Sequence, residues 1–355
     1  MTTTELGLTE GYYGKPWSAS ARAGTIAFLA PHGYRFHLHA PKADPYLRRR
    51  WQEDHPEAEA EALKALADHC RGLGVRFGIG LSPYEIYRDF GAAEREALAR
   101  KLAFFDAIGV EELGLFFDDM AGAQADLAEA QARVVDWAAA RTGAARITVC
   151  PSYYTDDPIL DRLFGQRPPA YLETLGQLID QAIHIFWTGE EVCAREISTA
   201  HLARISETLR RKPVLWDNYP VNDGPRMSPH LHLRAFTGRP AAIGAYLSAH
   251  AVNPALQPVL TRIPALTLAE SYAKGENYEY GRAFARAAKA VLGAELGALV
   301  REDLLFLQDV GLGRLGATTE KLRLRYHGID HDGAREIVGW LDGAYRITQA
   351  AMEAQ

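Results

Sequence analysis

Eight short apolar runs alternate with amphipathic helical stretches, and from Leu266 onward helical periodicity continues without strands. Together these predict an α/β protein, a (β/α)8 TIM barrel with a C-terminal all-helical appendage. A third observation agrees. Nearly every predicted strand runs into polar or aromatic residues, as expected where a barrel gathers its working groups at the C-terminal ends of its strands.

The predicted strands are Leu6 to Thr9, Tyr34 to Leu38, Val75 to Leu81, Leu113 to Phe117, Arg146 to Val149, Ile183 to Trp187, Pro213 to Trp216 and Ala242 to Leu247. Each is short and apolar, which suits strands buried on both faces of a parallel sheet. Helical patterns at Ala21 to Leu29, Glu57 to Leu73, Ala92 to Ile108, Asp126 to Ala140 and Arg195 to Leu209 are long enough for right-handed crossovers. The fifth helix falls within Asp157 to Leu178 and is interrupted by Pro168-Pro169, while a short seventh follows Pro229. Glu276 to Leu292, Leu296 to Val310 and Ala334 to Met352 read as three helices of the appendage, punctuated by Gly311-Leu312-Gly313 and His327-Gly328. The expected division is therefore a catalytic barrel over residues 1–265 and a helical domain over 266–355, docked because no low-complexity linker separates them.

A chain of 355 residues with 48% hydrophobic content can bury a large core. Its net charge of -6 argues against nucleic acid and acidic membranes as partners. Cys70, Cys150 and Cys193 are odd in number and form no Cys-x-x-Cys, which argues against a disulfide framework or zinc site and for a reducing compartment. Met1-Thr2-Thr3-Thr4-Glu5 carries no basic or long apolar leader. A cytoplasmic protein is expected.

Asp118 and Asp119 close the run Leu113-Gly114-Leu115-Phe116-Phe117. Side chains alternate along a strand, so both carboxylates reach one pocket only where the chain leaves β geometry. An isolated Asp-Asp pair more often merely caps the next helix. Other strand ends tilt the balance: Glu10-Gly11-Tyr12-Tyr13-Gly14-Lys15-Pro16-Trp17 after the first, His39-Ala40-Pro41-Lys42 after the second, Cys150-Pro151-Ser152-Tyr153-Tyr154 after the fifth, Trp187-Thr188-Gly189 after the sixth, and Trp216-Asp217-Asn218 after the seventh. His250-Ala251-Val252-Asn253-Pro254 follows the eighth. Aromatic rings, amides, a lysine and paired acids on one rim describe a polar pocket with stacking walls, suited to a sugar ring.

These motifs, with Asp44-Pro45-Tyr46 and Asn222-Asp223, resemble glycoside hydrolase family 84, whose members are β-N-acetylglucosaminidases, protein O-GlcNAcases among them. The resemblance runs from residue 5 to about 260. It departs at Ser152-Tyr153, where the family usually has Thr-Glu, and at Leu233-Arg234-Ala235-Phe236, which replaces Leu-Gly-Pro-aromatic. It implies hydrolysis of terminal β-linked N-acetylglucosamine, with retention, by substrate-assisted catalysis. The sugar's own 2-acetamido oxygen attacks the anomeric carbon and forms an oxazoline. Asp118 would orient the acetamido group and Asp119 would act as general acid and base. Cys150, Tyr154, Thr188 and Trp216 would line the acetyl pocket, and Gly11, Lys42, Asn218, Asp223 and Asn253 would bind sugar hydroxyls or position the acids. No metal or cofactor is implied, and the partner is a GlcNAc-bearing glycoprotein or glycan.

Two other readings compete. His37-Leu38-His39 puts two imidazoles on one strand face and, with Asp118, could serve a metal-dependent carbohydrate deacetylase or amidohydrolase; His327-x-x-x-His331 also has ligand spacing. A non-catalytic sugar-binding protein is the third. The aglycone, the choice between GlcNAc and GalNAc, and the oligomeric state are open at this level.

Overall fold

Among the residues described by the computed structural model, 4–355, eight parallel strands close into one barrel in chain order, β1 to β8. Met1 to Thr3 of the terminal segment lie outside the described residues. The strands are β1 (Leu6–Glu10), β2 (Tyr34–His39), β3 (Arg76–Leu81), β4 (Glu112–Phe116), β5 (Arg146–Cys150), β6 (His184–Trp187), β7 (Val214–Asp217) and β8 (Ala249–Val252). Closure comes from β8 pairing with β1, Leu6 opposite His250 and Leu8 opposite Val252. Strands β1, β4, β7 and β8 are buried at every residue, the pattern of a sheet covered on both sides.

Helices α1 (Ala19–Leu29), α2 (Glu57–Gly72), α3 (Ala92–Ile108) and α4 (Leu127–Ala139) make the first four crossovers. Ser18 caps α1 by accepting from Ala21 N at 3.2 Å. The fifth crossover is split into α5 (Ile159–Phe164) and α6 (Tyr171–Leu178), as Pro168-Pro169 foretold, and α7 (Thr199–Leu209) makes the sixth. The sequence reading fails at the next connection. Instead of a short helix after Pro229 there is α8 (Gly224–Met227) before it and a 3₁₀ segment at Ala241–Tyr246. That segment was expected to be the eighth strand, which instead begins at Ala249. The apolar run Ala241-Ala242-Ile243 misled because Ile243 is buried from a helical turn, whereas the true strand hides a histidine, His250, made tolerable by its 3.0 Å contact with Asp217.

After β8 come α9 (Arg262–Lys274), packed on the barrel, and then α10 (Tyr280–Leu292), α11 (Ala294–Leu304) with a π-helical turn at Leu305–Val310, α12 (Thr318–Tyr326), α13 (Asp332–Leu341) and α14 (Gln349–Ala354). Residue 266 sits inside α9, whose Ala265 and Leu268 pack on Leu6 and Leu8 of β1. Helix α12 carries no expected counterpart, and the single helix expected over Ala334 to Met352 is α13 and α14 separated by a turn at Gly343 (φ 81°). One core joins appendage and barrel: Leu231, Leu233, Val259, Leu260 and Ile263 pack with Phe284, Val300, Ile337 and Trp340.

Candidate active site

Strand β4 ends at Phe116, and the chain turns so that Asp119 takes a left-handed backbone, φ 55°. That departure from β geometry is what lets two consecutive carboxylates share the barrel mouth. A non-glycine residue in this region costs free energy, though less for Asp than for most, and such outliers cluster at working sites. The turn is braced from behind. Phe117 N–H donates to the Cys150 carbonyl at 2.9 Å, and Ser152 Oγ donates to the Phe117 carbonyl at 2.9 Å. Gln131 Nε2 in turn donates to Ser152 Oγ at 2.7 Å. Ser152, one of the departures from the family pattern, therefore supports the Asp118-Asp119 turn from below.

Asp118 is buried and its Oδ2 accepts from Lys42 Nζ, itself buried. Removing either partner would leave an uncompensated buried charge, at a cost of about 3–5 kcal/mol. The other oxygen, Asp118 Oδ1, is buried yet accepts from none of the described residues. Asp119 is only half-buried. Both its oxygens accept from phenols, Oδ2 from Tyr13 and Oδ1 from Tyr154, each at 2.9 Å. Burial, with the Asp119 charge adding to it, pushes both phenols well above the ordinary tyrosine range, so they remain donors.

The remaining expected residues gather at the same mouth. Trp216 lies against Phe186 and Phe116 with ring centroids 4.9 and 5.3 Å apart. Gly11 passes under it so closely that a Cβ there would meet the indole at 2.3 Å. Cys150 is buried beside the acids, and burial followed by the Asp118 charge pushes its thiol well up, making it a packing group and no nucleophile. Thr188 N–H donates to the Tyr154 carbonyl at 2.9 Å, which ties β6 to the loop after β5. Asn218 Nδ2 donates to the Val192 carbonyl at 2.8 Å. With its amide turned to satisfy both ends, Asn253 donates to the Thr9 carbonyl at 3.1 Å and accepts from Trp216 Nε1 at 3.3 Å. Asp223 accepts from Tyr13 N–H at 2.8 Å. Burial, aided by the nearby Asp119 charge, still pushes the Asp223 carboxyl up to about 6.

Two working contacts have no counterpart in the expected set. Tyr13 stands inside the first motif, but nothing in its neighbours foretold a hydroxyl on Asp119. Arg48 belongs to Arg48-Arg49-Arg50, a run that reads as a solvated surface, yet it is buried and its Nη2 donates to the Asp119 carbonyl at 3.2 Å. Arg234, one of the departures from the family pattern, pairs with Asp309 and Tyr280 of the appendage.

The His-x-His reading is also corrected. His37 Nε2 and His39 Nδ1 lie 3.6 and 3.7 Å from Glu10 Oε2, on the face turned to α1, and Asp118 is not among them. These three residues place donor atoms within 4.8 Å of one another. Both Glu10 oxygens, however, already accept from Arg22, at 2.5 and 2.7 Å, and Oε1 also from Tyr12 at 3.0 Å. His331 caps α13, its Nδ1 accepting from Gly333 N at 2.9 Å.

Paired carboxylates in an aromatic, amide-lined pocket at the mouth of a (β/α)8 barrel define the class of barrel hydrolases. Within that class the chain belongs to the NAGidase family, described as beta-N-acetylglucosaminidase, whose model matches residues 6–307. The family 84 resemblance read from the motifs is thereby borne out. Mouse and rat proteins named Protein O-GlcNAcase are each 28% identical over 280 residues, covering 76% of this chain. The chain spans about 30% of the length of these curated relatives. A mutant of the Thermobaculum terrenum O-GlcNAc hydrolase superposes with a TM-score of 0.78 at 29% identity, over 95% of this chain and 80% of that one. CpGH84B shares the fold, with a TM-score of 0.75 at 22% identity over 96% of this chain and 66% of its own. No helix among the described residues is long and apolar enough to cross a membrane.

Proposed function

We propose that the chain is a retaining, O-GlcNAcase-like β-N-acetylglucosaminidase that releases terminal β-linked GlcNAc from a glycoprotein or glycan through an oxazoline intermediate. The observation that carries this reading is Asp118 Oδ1, a buried carboxylate oxygen without a partner among the described residues, beside a second acid held by two phenols. A buried acceptor left unpaired costs free energy, and an acetamido N–H is the donor that removes the cost. Held there, the acetamido carbonyl oxygen attacks the anomeric carbon as the glycosidic bond breaks. Asp119 gives its proton to the leaving oxygen and, in the second half, takes one from the water that opens the ring. Asp118 balances the positive charge that develops on the amide nitrogen. Cys150, Thr188, Tyr154 and Trp216 form the acetyl pocket in this reading, and Gly11, Lys42, Asn218, Asp223 and Asn253 address hydroxyls or hold the acids. The catalytic unit is the barrel, residues 1–265, with 266–355 as a docked helical domain. A cytoplasmic location fits its three free cysteines.

The test is hydrolysis of aryl N-acylglucosaminides. Asp119→Asn should lose most activity on poor leaving groups and much less on activated ones, whereas Asp118→Asn should hurt both. Progressive fluorination of the acyl methyl weakens the nucleophilic oxygen, so rates should fall steeply while binding changes little. A flat response to fluorination, or a sugar trapped covalently on a carboxylate, would sink the mechanism.

A further inference from the structure

The segment Thr348–Gln355 touches the support of Asp119 from two directions. Gly14 N–H donates to Gln355 Oε1 at 2.8 Å, and Gly14 follows Tyr13, whose hydroxyl donates to Asp119 Oδ2. Arg48 Nε donates to the Gln355 carbonyl at 3.2 Å while its Nη2 holds the Asp119 carbonyl. One residue, more than two hundred positions from the acid in sequence, thus bonds to Arg48, which holds the acid's backbone, and to Gly14, the chain neighbour of the Tyr13 that holds its carboxylate.

The segment is docked as well as bonded. Ile347 N–H donates to Ser228 Oγ at 3.1 Å. The Ile347 side chain packs with Tyr12, Trp17, Val221 and Leu256, and Ala351 and Met352 lie against the same cluster. Gly14, at φ 108°, admits this contact because a Cβ there would meet Ile347 Cδ1 at 2.6 Å. Arg49 Nη2 adds a bond to the Glu353 carbonyl at 3.4 Å. The cluster includes Tyr12 and Trp17, so α14 braces the very loop that carries Gly11, Tyr13 and Gly14.

We infer that Gln355, presented by α14 and relayed through Gly14 and Arg48, is a positioning residue for the general acid. The left-handed turn at Asp119 is a conformation its surroundings must enforce, and Arg48 and Tyr13 are the enforcing contacts. Loosening them leaves the acetamido attack at Asp118 intact but blunts proton delivery, whose full worth is roughly 10²–10⁴-fold. A small misplacement of a catalytic group consumes a sizeable part of such a factor.

The role presupposes the glycosidase reading, so the experiment keeps the two apart. In the full chain, Gln355→Ala removes the bond to Gly14, Gln355→Glu retains the acceptor, and Met352→Asp undocks α14. Each is assayed on aryl N-acetylglucosaminides spanning leaving-group acidity, with circular dichroism to confirm folding. Gln355→Ala and Met352→Asp should lose about tenfold in kcat/KM on the phenyl glycoside and less than about twofold on the dinitrophenyl glycoside, with Gln355→Glu nearer wild type. Equal losses on both substrates, or no change on either, would overturn the positioning role. A wild-type chain inert toward every member of the series would instead overturn the glycosidase reading.

Discussion

Asp223 is a pocket carboxylate whose ionisation is displaced upward. Burial, reinforced by Asp119, lifts its carboxyl from 3.8 to about 6. Below 3.8 it is protonated whether folded or unfolded and has no effect on stability. As pH rises to 6 the unfolded chain releases the proton first, so the folded state loses stability, and above 6 the full cost remains, about 3 kcal/mol. Asp223→Asn should therefore raise Tm at pH 7.5 and not at pH 3.5, and, where Asp223 addresses a sugar hydroxyl as proposed, raise KM. Identical Tm values at both pH values would show that the carboxyl is not strained by burial. At this scale the acids and Lys42 were legible in sequence because they sit at strand ends within short motifs. Tyr13 and Arg48 were not, since each acquires its role only by meeting Asp119 across the mouth, 106 and 71 positions away.

The element that decides how the appendage sits is α13. Glu336 accepts from Val259 and Leu260 N–H at 2.8 and 2.9 Å, satisfying donors just ahead of α9. Burial lifts its carboxyl from 4.5 to about 7, against those same bonds. Its contribution is thus fullest below pH 4.5 and fades as pH climbs through 7. Glu336→Gln, which cannot titrate, should flatten the decline of Tm between pH 5 and 8; parallel profiles for variant and wild type would contradict this. Long periodic elements such as α2 and α3 were readable to within a residue or two. The stretch between β7 and β8 was not, because His250 in a core strand depends on Asp217, which two hydrogen bonds from Arg239 and the His250 contact hold down at about 2 despite burial. Helix α12 escaped for a related reason: Thr318–Tyr326 is mostly polar, and it buries little beyond Leu322 and Tyr326.

For the molecule as a whole, the shared core decides cooperativity. Leu231, Leu233 and Ile263 on the barrel side pack with Phe284, Ile337 and Trp340 on the other, and Arg234 pairs with Asp309 across the same seam. Two units joined in this way should melt together, giving one calorimetric transition whose calorimetric and van't Hoff enthalpies agree. Two resolved transitions would mean that the appendage is held by less than this packing implies. The barrel and the existence of an appendage could be read from alternation of periods along the chain. The seam could not, because it is made by residues such as Leu231 and Trp340 that look like ordinary core until their partners are known.

The rings of Phe116, Phe186 and Trp216 stand in mutual contact, 4.9 to 5.8 Å between centroids, beneath the pocket. They make a floor, and a floor turns the barrel mouth into a cul-de-sac. On the proposed glycosidase reading, the sugar therefore enters and leaves from the open side of the mouth, above these rings. One doorway would then serve arrivals and departures alike, so that on this reading the product leaves before the next substrate enters.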